Sequence, residues 1–243
     1  MGRTLPTMVL AALLMTPAHA GSVSVAVAAN FTKVAEELAS LFKAETGHEV
    51  IYSFGATGQL YTQITQGAPF EVFLSADDIR PAQAVSEGLG VEGTVFTYAI
   101  GALALYSTSI DLADGRAVLE AGGFDKVAIA DPATAPYGRA AAEAIEALGL
   151  TETIAPKLVT GENISQTLQF TESGNAELGF IAASQVVGKS GVWFVPADLY
   201  EPIRQDAVLL KTGETNPTAS AFLDFLQSDT AVVVIEASGY IVE

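Results

Sequence analysis

In Ser22-Val23-Ser24-Val25-Ala26-Val27-Ala28-Ala29-Asn30-Phe31 the first seven residues, Ser22–Ala28, alternate small polar and apolar residues, then turn apolar and run into Asn30. That is the pattern of a strand buried on both faces. At Asn30 the period changes: Val34, Ala35, Leu38, Leu41 and Phe42 recur at helical spacing as far as Gly47, which reads as a helix C-cap. Working outward, the same unit returns. His48–Ser53 is a β-type run that leads through Phe54-Gly55-Ala56-Thr57-Gly58 into a short helix ending before Gly67. Phe70–Ser75 is a third strand, and Ala76-Asp77-Asp78 opens the next helix. Strand-like runs follow at Val95–Tyr106 and Lys126–Ala130, then a helix from Pro136 to about Leu148. Lys157–Thr160, a helix from about Glu162 and Leu178–Ala182 repeat the unit once more. Ala207–Leu210, a helix from Pro217 and another over Ala231–Ala237, stopped by Gly239, close the chain. The β-α-β-α order predicts an α/β fold with mostly parallel sheets.

Length and charge bound what such a fold can do. The 243 residues suffice for one large α/β unit or two lobes, each with its own core. Half the residues are apolar and 16% are charged, which excludes a disordered chain. A net charge of −17 argues against a nucleic-acid partner, because neutralising phosphates takes clustered Lys and Arg. With no Cys there is no disulfide, thiol nucleophile, iron–sulfur cluster or lipidated N-terminal Cys.

Residues 1–20 read as a secretory signal peptide. Arg3 supplies the positive end, Met8–Met15 the apolar run, and Ala18-His19-Ala20 the small-residue cleavage site, with maturation at Gly21. Pro6 and Pro17 bracket a run too short to cross a bilayer. Cleavage leaves ten Lys and Arg against 28 Asp and Glu, a net −18, and His48 as the single histidine. A three-ligand zinc site then has too few histidines, and a Ser-His-Asp triad could use only His48, which sits in a turn. A carboxylate-pair hydrolase stays open in principle, but no acid spacing singles out a pair.

Three strand-to-helix junctions carry small or polar residues where backbone N–H groups come free: Ala28-Ala29-Asn30-Phe31, Gly55-Ala56-Thr57-Gly58 and Ala135-Pro136-Tyr137-Gly138. A fourth, Gly161-Glu162-Asn163-Ile164, opens another helix. Ligands of α/β sheets bind at the carboxyl ends of strands, where the first N–H groups of a helix lack internal partners. Several such ends together make an anion site without Lys or Arg. Each junction also has an ordinary reading: Asn30 and Thr57 as plain helix caps, Tyr137 as a core aromatic, Ile164 as the first apolar residue of its helix face. The G-x-x-G at Gly55 lacks the G-K-[ST] of a phosphate loop.

Val25–Thr32, Phe54–Leu60, Gly67–Asp77 (GAPFEVFLSAD) and Phe96–Gly101 resemble, in order, the molybdate-binding proteins of ABC importers. So do Asp131-Pro132 through Gly138, Leu178-Gly179-Phe180 and Ser238-Gly239-Tyr240, so the resemblance spans the chain after residue 20. It implies a two-lobed periplasmic binding protein with a ligand cleft between lobes, each a mostly parallel sheet flanked by helices. Lobe one is expected over 21–99 plus 202–243 and lobe two over 100–201. The crossings then fall at Thr94–Tyr106, broken by Gly101, and at Trp193–Pro202.

Carried over by position, the ligand contacts fall on Asn30, Thr57, Tyr137 and Ile164. They meet the oxygens of the oxyanion, with no direct metal ligand. Asn30 and Thr57 are expected to offer side-chain donors, Tyr137 and Ile164 their main-chain N–H groups. Ala182 stands where some relatives have Tyr, so no contact is carried there. The implied role is a monomeric, non-enzymatic periplasmic protein without cofactor that hands molybdate, and tungstate with it, to the membrane permease of an ABC importer. Both are tetrahedral dianions with no proton to donate, so a site made only of donors suits them. Sulfate or another oxyanion is the alternative within binding proteins. A secreted carboxylate hydrolase is the alternative outside them. A charge-held ligand would instead call on Arg139, two residues past Tyr137.

Overall fold

The computed structural model describes residues 20–243. The signal peptide, apart from Ala20, and its cleavage lie outside the described residues. The chain builds two five-stranded sheets. The first half gives β1 (Ser22–Ala28), α1 (Thr32–Thr46), β2 (Glu49–Gly55), α2 (Thr57–Thr65), β3 (Val72–Leu74), α3 (Ile79–Ser86), β4 (Phe96–Gly101) and β5 (Leu103–Tyr106). There follow α4 (Gly115–Ala121), β6 (Val127–Ala130), α5 (Pro136–Ala147), α6 (Thr151–Ile154), β7 (Leu158–Gly161), α7 (Ile164–Glu172) and β8 (Leu178–Ala182). The chain closes with β9 (Val192–Phe194), β10 (Ile203–Leu209), α8 (Pro217–Leu226) and α9 (Asp229–Ala237).

One sheet has the order β2-β1-β3-β10-β4 and the other β7-β6-β8-β5-β9. In each, the first three strands are parallel, the fourth runs against the third, and the fifth runs against the fourth. Four strands of each sheet therefore share one direction, and the expected mostly parallel lobes are found. The reversed strands have a physical origin: β5 and β10 are the strands by which the chain enters each sheet from the other. A single residue, Ala102, separates β4 from β5, so the long apolar run Val95–Tyr106 is split between two sheets at Gly101. Ile100 and Ile241 exchange backbone hydrogen bonds of 2.8 and 3.0 Å, which seats the C-terminal Tyr240 beside this crossing.

Alternation along β1 explains why the run could be apolar throughout. Val23, Val25 and Val27 pack with Val34, Leu38 and Phe42 of α1 and Phe222 and Ile235 of α8 and α9. Ala26 on the opposite face packs with Leu60 and Ile64 of α2 and with Phe73 and Val208. Both faces of the sheet are covered, as parallel strands require. Gly47 ends α1 at φ 76°, the left-handed C-cap that the sequence indicates. The turn residue His48 accepts from the Gly21 N–H at 2.9 Å and ties down the start of β1.

Three elements were not legible. β9 is a three-residue edge strand whose Phe194 is 65% exposed, so it lacks a buried-strand pattern. α4 and α6 are too short for a periodic signal. β3 is shorter than expected and β10 begins earlier, at Ile203.

Candidate functional site

The carboxyl ends of β1, β2, β6 and β7 meet around one small cavity. It is lined by Ala29, Asn30, Ala56 and Thr57 from the first sheet's side and by Ala135, Tyr137, Asn163 and Ile164 from the second's. All four expected contact residues, separated by up to 134 positions, are thereby brought together, each no more than 5% exposed. The two sides are closed on each other. Gly58 N–H donates to the Thr134 carbonyl at 2.8 Å, and Ser165 Oγ donates to the Ala29 carbonyl at 3.0 Å. Glycine at 58 permits the first of these, since a Cβ there would stand 3.1 Å from the Thr134 backbone. The space open to a water's centre is about 10 Å³, one water's worth, so an occupant must be compact and the sides must part to admit it.

The local sequence leaves donors pointing in. The residues capping the turn at Ala29–Phe31, helix α2 and helix α5 are Ala28, Ala56 and Ala135, and none supplies a side-chain cap. Alanine is among the poorest N-caps, costing about 1 kcal/mol against Ser, Thr, Asp or Asn. Three of them at one cavity leave N–H groups free. At α7 the Asn163 side chain does cap, but it accepts from Ser165 and Gln166 at 3.0 and 3.1 Å and passes over Ile164. Among the described residues, no turn, loop or side-chain acceptor takes the N–H of Asn30, Thr57, Tyr137 or Ile164. Those of Thr57, Tyr137 and Ile164 are the first N–H groups of their helices, at the positive end of the dipole, and that of Asn30 lies in the turn that leads into α1.

Thr57 adds a side-chain donor whose direction is fixed. Its Oγ1 accepts from the Ala76 N–H at 3.0 Å, which leaves the hydroxyl hydrogen for an occupant. The Ser75-Ala76-Asp77 stretch shapes this contact. Asp77, 2% exposed, pairs with Arg80, accepts from Ser75 Oγ at 3.0 Å and caps the Arg80 N–H at 3.0 Å, so the turn presenting Ala76 is held from behind.

Asn30 departs from expectation. Both hydrogens of its side-chain amide are taken inside the protein, by Gln205 Oε1 at 2.7 Å and the Tyr240 hydroxyl at 2.9 Å. The expected side-chain donor is therefore spent, and what Asn30 offers the cavity is its main-chain N–H. The reason is long-range: Gln205 and Tyr240 lie 175 and 210 residues further along the chain. The Tyr137 phenol is likewise turned away, accepting from Gln205 Nε2 at 3.3 Å. Burial pushes the Tyr98 and Tyr137 hydroxyls well above the ordinary tyrosine range and that of Tyr240 to about 12, so all three are neutral.

No Lys, Arg, Asp or Glu lines the cavity. Arg139 instead faces Glu143 at 3.6 Å. Ala182 is fully buried at the end of β8 and does not line the cavity. The described residues hold no cluster of three or more His, Cys, Asp or Glu able to hold a metal. The alanines 29, 56 and 135 stand in the junctions that the sequence singles out but are not read there as cavity lining, and Ala76 lies outside those junctions. Their signal was alanine where a capping side chain is expected. Alongside lies a wider, open groove of about 580 Å³ between α1, α7 and α9, lined by Lys33, Glu36, Glu37 and several valines. Its mixed charges and breadth do not suit a small anion.

Residues 23–241 match the family model of bacterial extracellular solute-binding proteins. The molybdate-binding protein ModA of Rhodobacter capsulatus is 55% identical over 95% of this chain and 92% of its own length. The molybdate-binding protein ModA of Azotobacter vinelandii is 52% identical over 95% of this chain and 94% of its own. A solved Azotobacter vinelandii periplasmic molybdate-binding protein superposes with a TM-score of 0.88 at 37% identity, covering 91% of this chain and 99% of that one.

Proposed function

The chain belongs to the bacterial extracellular solute-binding proteins, and from that premise we propose that it captures molybdate for an ABC importer. The observation that carries the reading is the cavity's composition: free N–H groups at three helix starts and in the turn into α1, and one hydroxyl aimed by its own acceptor bond, with no ionised side chain. Molybdate carries two negative charges and no proton, so every oxygen can be met by a donor. Monohydrogen phosphate would bring a proton to a site without an acceptor for it, and one unmet hydrogen bond in a buried site costs about 1–3 kcal/mol. Tungstate has the same shape and charge and binds alongside molybdate. Sulfate satisfies the donor rule but is smaller, so its shorter oxygen spread leaves some donors unmet.

The contacts are Thr57 through its hydroxyl and N–H, and Asn30, Tyr137 and Ile164 through their N–H groups. Each touches an oxygen and none touches the metal. The protein carries out no catalytic step and holds no cofactor; its partners are the oxyanion and the membrane permease. It works as a monomer in the periplasm after signal-peptide removal. Lobe one, 21–99 plus 202–243, and lobe two, 100–201, move as bodies about the two crossings, which admits a ligand that the closed cavity would exclude. The name molybdate-binding protein borne by the relatives, and the periplasmic origin named for the solved one, support the ligand and the compartment.

A thermal-shift panel tests the function. At one hundred times its dissociation constant a ligand adds about 2.7 kcal/mol of stability. Molybdate and tungstate are expected to raise the melting temperature, with sulfate and phosphate well behind and sugars without effect. A response to sulfate alone, or to sugars alone, would overturn the proposal.

A further inference from the structure

Behind the cavity the buried polar groups form one connected set, and Gln205 stands at its centre. It is fully buried on β10, a strand that returns from the second sheet to the first. Its Oε1 accepts from Asn30 Nδ2 at 2.7 Å and lies 3.3 Å from the Tyr98 hydroxyl, which donates to the Ser75 carbonyl at 2.9 Å. Its Nε2 donates to the Tyr137 hydroxyl at 3.3 Å. Asn30 sits on the cavity turn of the first sheet and Tyr137 on the cavity helix of the second. One side-chain amide therefore touches a cavity element on each side, from the strand that links them.

The crossing itself is shaped around this contact. A Cβ at Gly101, the last residue of β4, would fall on the Tyr137 hydroxyl, and it would stand 2.8 Å from Gln205 Nε2. Glycine there keeps open the path by which the phenol reaches across. A second strand of the same set runs through Tyr240, whose hydroxyl accepts from Asn30 Nδ2 and from Ser184 Oγ, both at 2.9 Å, and donates to the Asn30 carbonyl at 3.1 Å. The turn carrying the Asn30 N–H is thus held from its own side by Gln205 and Tyr240, and each of these makes one further bond to the second side, with Tyr137 and Ser184 respectively.

We propose that Gln205 is a positioning residue for oxyanion capture: it registers the Asn30 turn against the Tyr137 helix, so that the N–H groups of both sides converge on the ligand at closure. This rests on the oxyanion-binding reading and names the residue that couples binding to closure. The chemistry requires an amide at this reach. Glutamine offers an acceptor and a donor on one head, glutamate has no donor, and methionine has neither at similar length and volume.

The test compares wild type, Gln205→Met, Tyr137→Phe and the double variant. Molybdate affinity and dissociation rate are measured for each, together with hydrogen exchange of the Gly58 amide without ligand. That amide donates to Thr134 across the cleft, so its protection reads closure directly. Gln205→Met is expected to raise the dissociation constant about tenfold, chiefly through faster release. Tyr137→Phe keeps its N–H and is expected to weaken binding about threefold. The double variant should be no weaker than Gln205→Met alone, because one link is cut twice. Gly58 exchange should quicken in both single variants. Unchanged affinity with only a lower melting temperature, or multiplied losses in the double variant, would overturn the proposal. If Gln205→Met does not fold, unchanged Gly58 exchange in Tyr137→Phe overturns it. A wild type that ignores molybdate would sink the functional reading instead, while the ligand-free exchange comparison still decides the role of Gln205.

Discussion

Replacing Thr57 by Val removes one oxygen and keeps the shape, and the structure says what that oxygen does. It accepts from the Ala76 N–H at 3.0 Å and has its hydrogen left for the ligand. Two losses follow, and they are separable. The missing donor costs a hydrogen bond to a charged group, about 1.5–3 kcal/mol, which is roughly ten- to a hundredfold in molybdate affinity. The orphaned Ala76 N–H, on a residue 2% exposed, costs stability whether or not ligand is present. At about 1–3 kcal/mol for an unmet buried donor, and roughly 2–4 °C per kcal/mol for a chain of this size, the ligand-free melting temperature should fall by several degrees. Thr57→Ser keeps both functions and should bind within about threefold of wild type. Calorimetric titration with molybdate gives the first quantity and ligand-free melting the second. Wild-type affinity in Thr57→Val, or an equal loss in Thr57→Ser and Thr57→Val, would refute the assignment of the hydroxyl.

Ala135→Asp should raise the ligand-free melting temperature by a few degrees, because a carboxylate can cap α5 by accepting from Tyr137, and should abolish molybdate binding by occupying the donors; melting with and without molybdate reads both. Ile164→Ala should keep affinity within about threefold in the same titration, since its main-chain N–H survives. Molybdate affinity should change by less than about threefold between roughly 0.05 and 0.5 M salt, because no charged side chain lines the cavity. Burial, with Asp78 and Asp77 nearby, raises the Asp206 carboxyl above its ordinary 3.8, although Thr97 donates to it at 2.7 Å. A raised acid favours the folded state while protonated, and that contribution is lost as pH climbs through the folded value. Asp206→Asn should therefore melt above wild type at pH 7, with the gap closing as the pH falls toward about 4.

How far the sequence could be read depended on the range of the interaction involved. β1, α1, α2, α5 and β8 were legible because their signals are local: alternation or a continuous apolar run in the strands, 3.6-residue recurrence in the helices, and Gly47 as the stop of α1. The junctions at Asn30, Thr57, Tyr137 and Ile164 were legible as places where N–H groups come free. What each side chain does there was only half legible. The Thr57 hydroxyl is directed by Ala76, nineteen residues away at the exit of β3, on the far side of β1. The Asn30 amide looked like a ligand donor because nothing nearby in sequence competes for it. Its partners Gln205 and Tyr240 arrive only when the chain has crossed to the second sheet and returned. Alanine caps are invisible for a related reason: a missing side chain carries no motif, and Ala28, Ala56 and Ala135 became informative only when they met at one cavity.

The central claim is that a compact oxyanion is held in this cavity by neutral donors from both sheets. A crystal structure grown with molybdate, phased or checked on the molybdenum anomalous signal, tests it most directly. The account predicts one strong peak in the cavity, with oxygens about 2.7–3.2 Å from Thr57 Oγ1 and from the main-chain nitrogens of Asn30, Tyr137 and Ile164. It also predicts the Asn30 amide still bonded to Gln205 and Tyr240. A peak in the open groove beside Lys33, or against Arg139, with the cavity between the sheets empty, would contradict it.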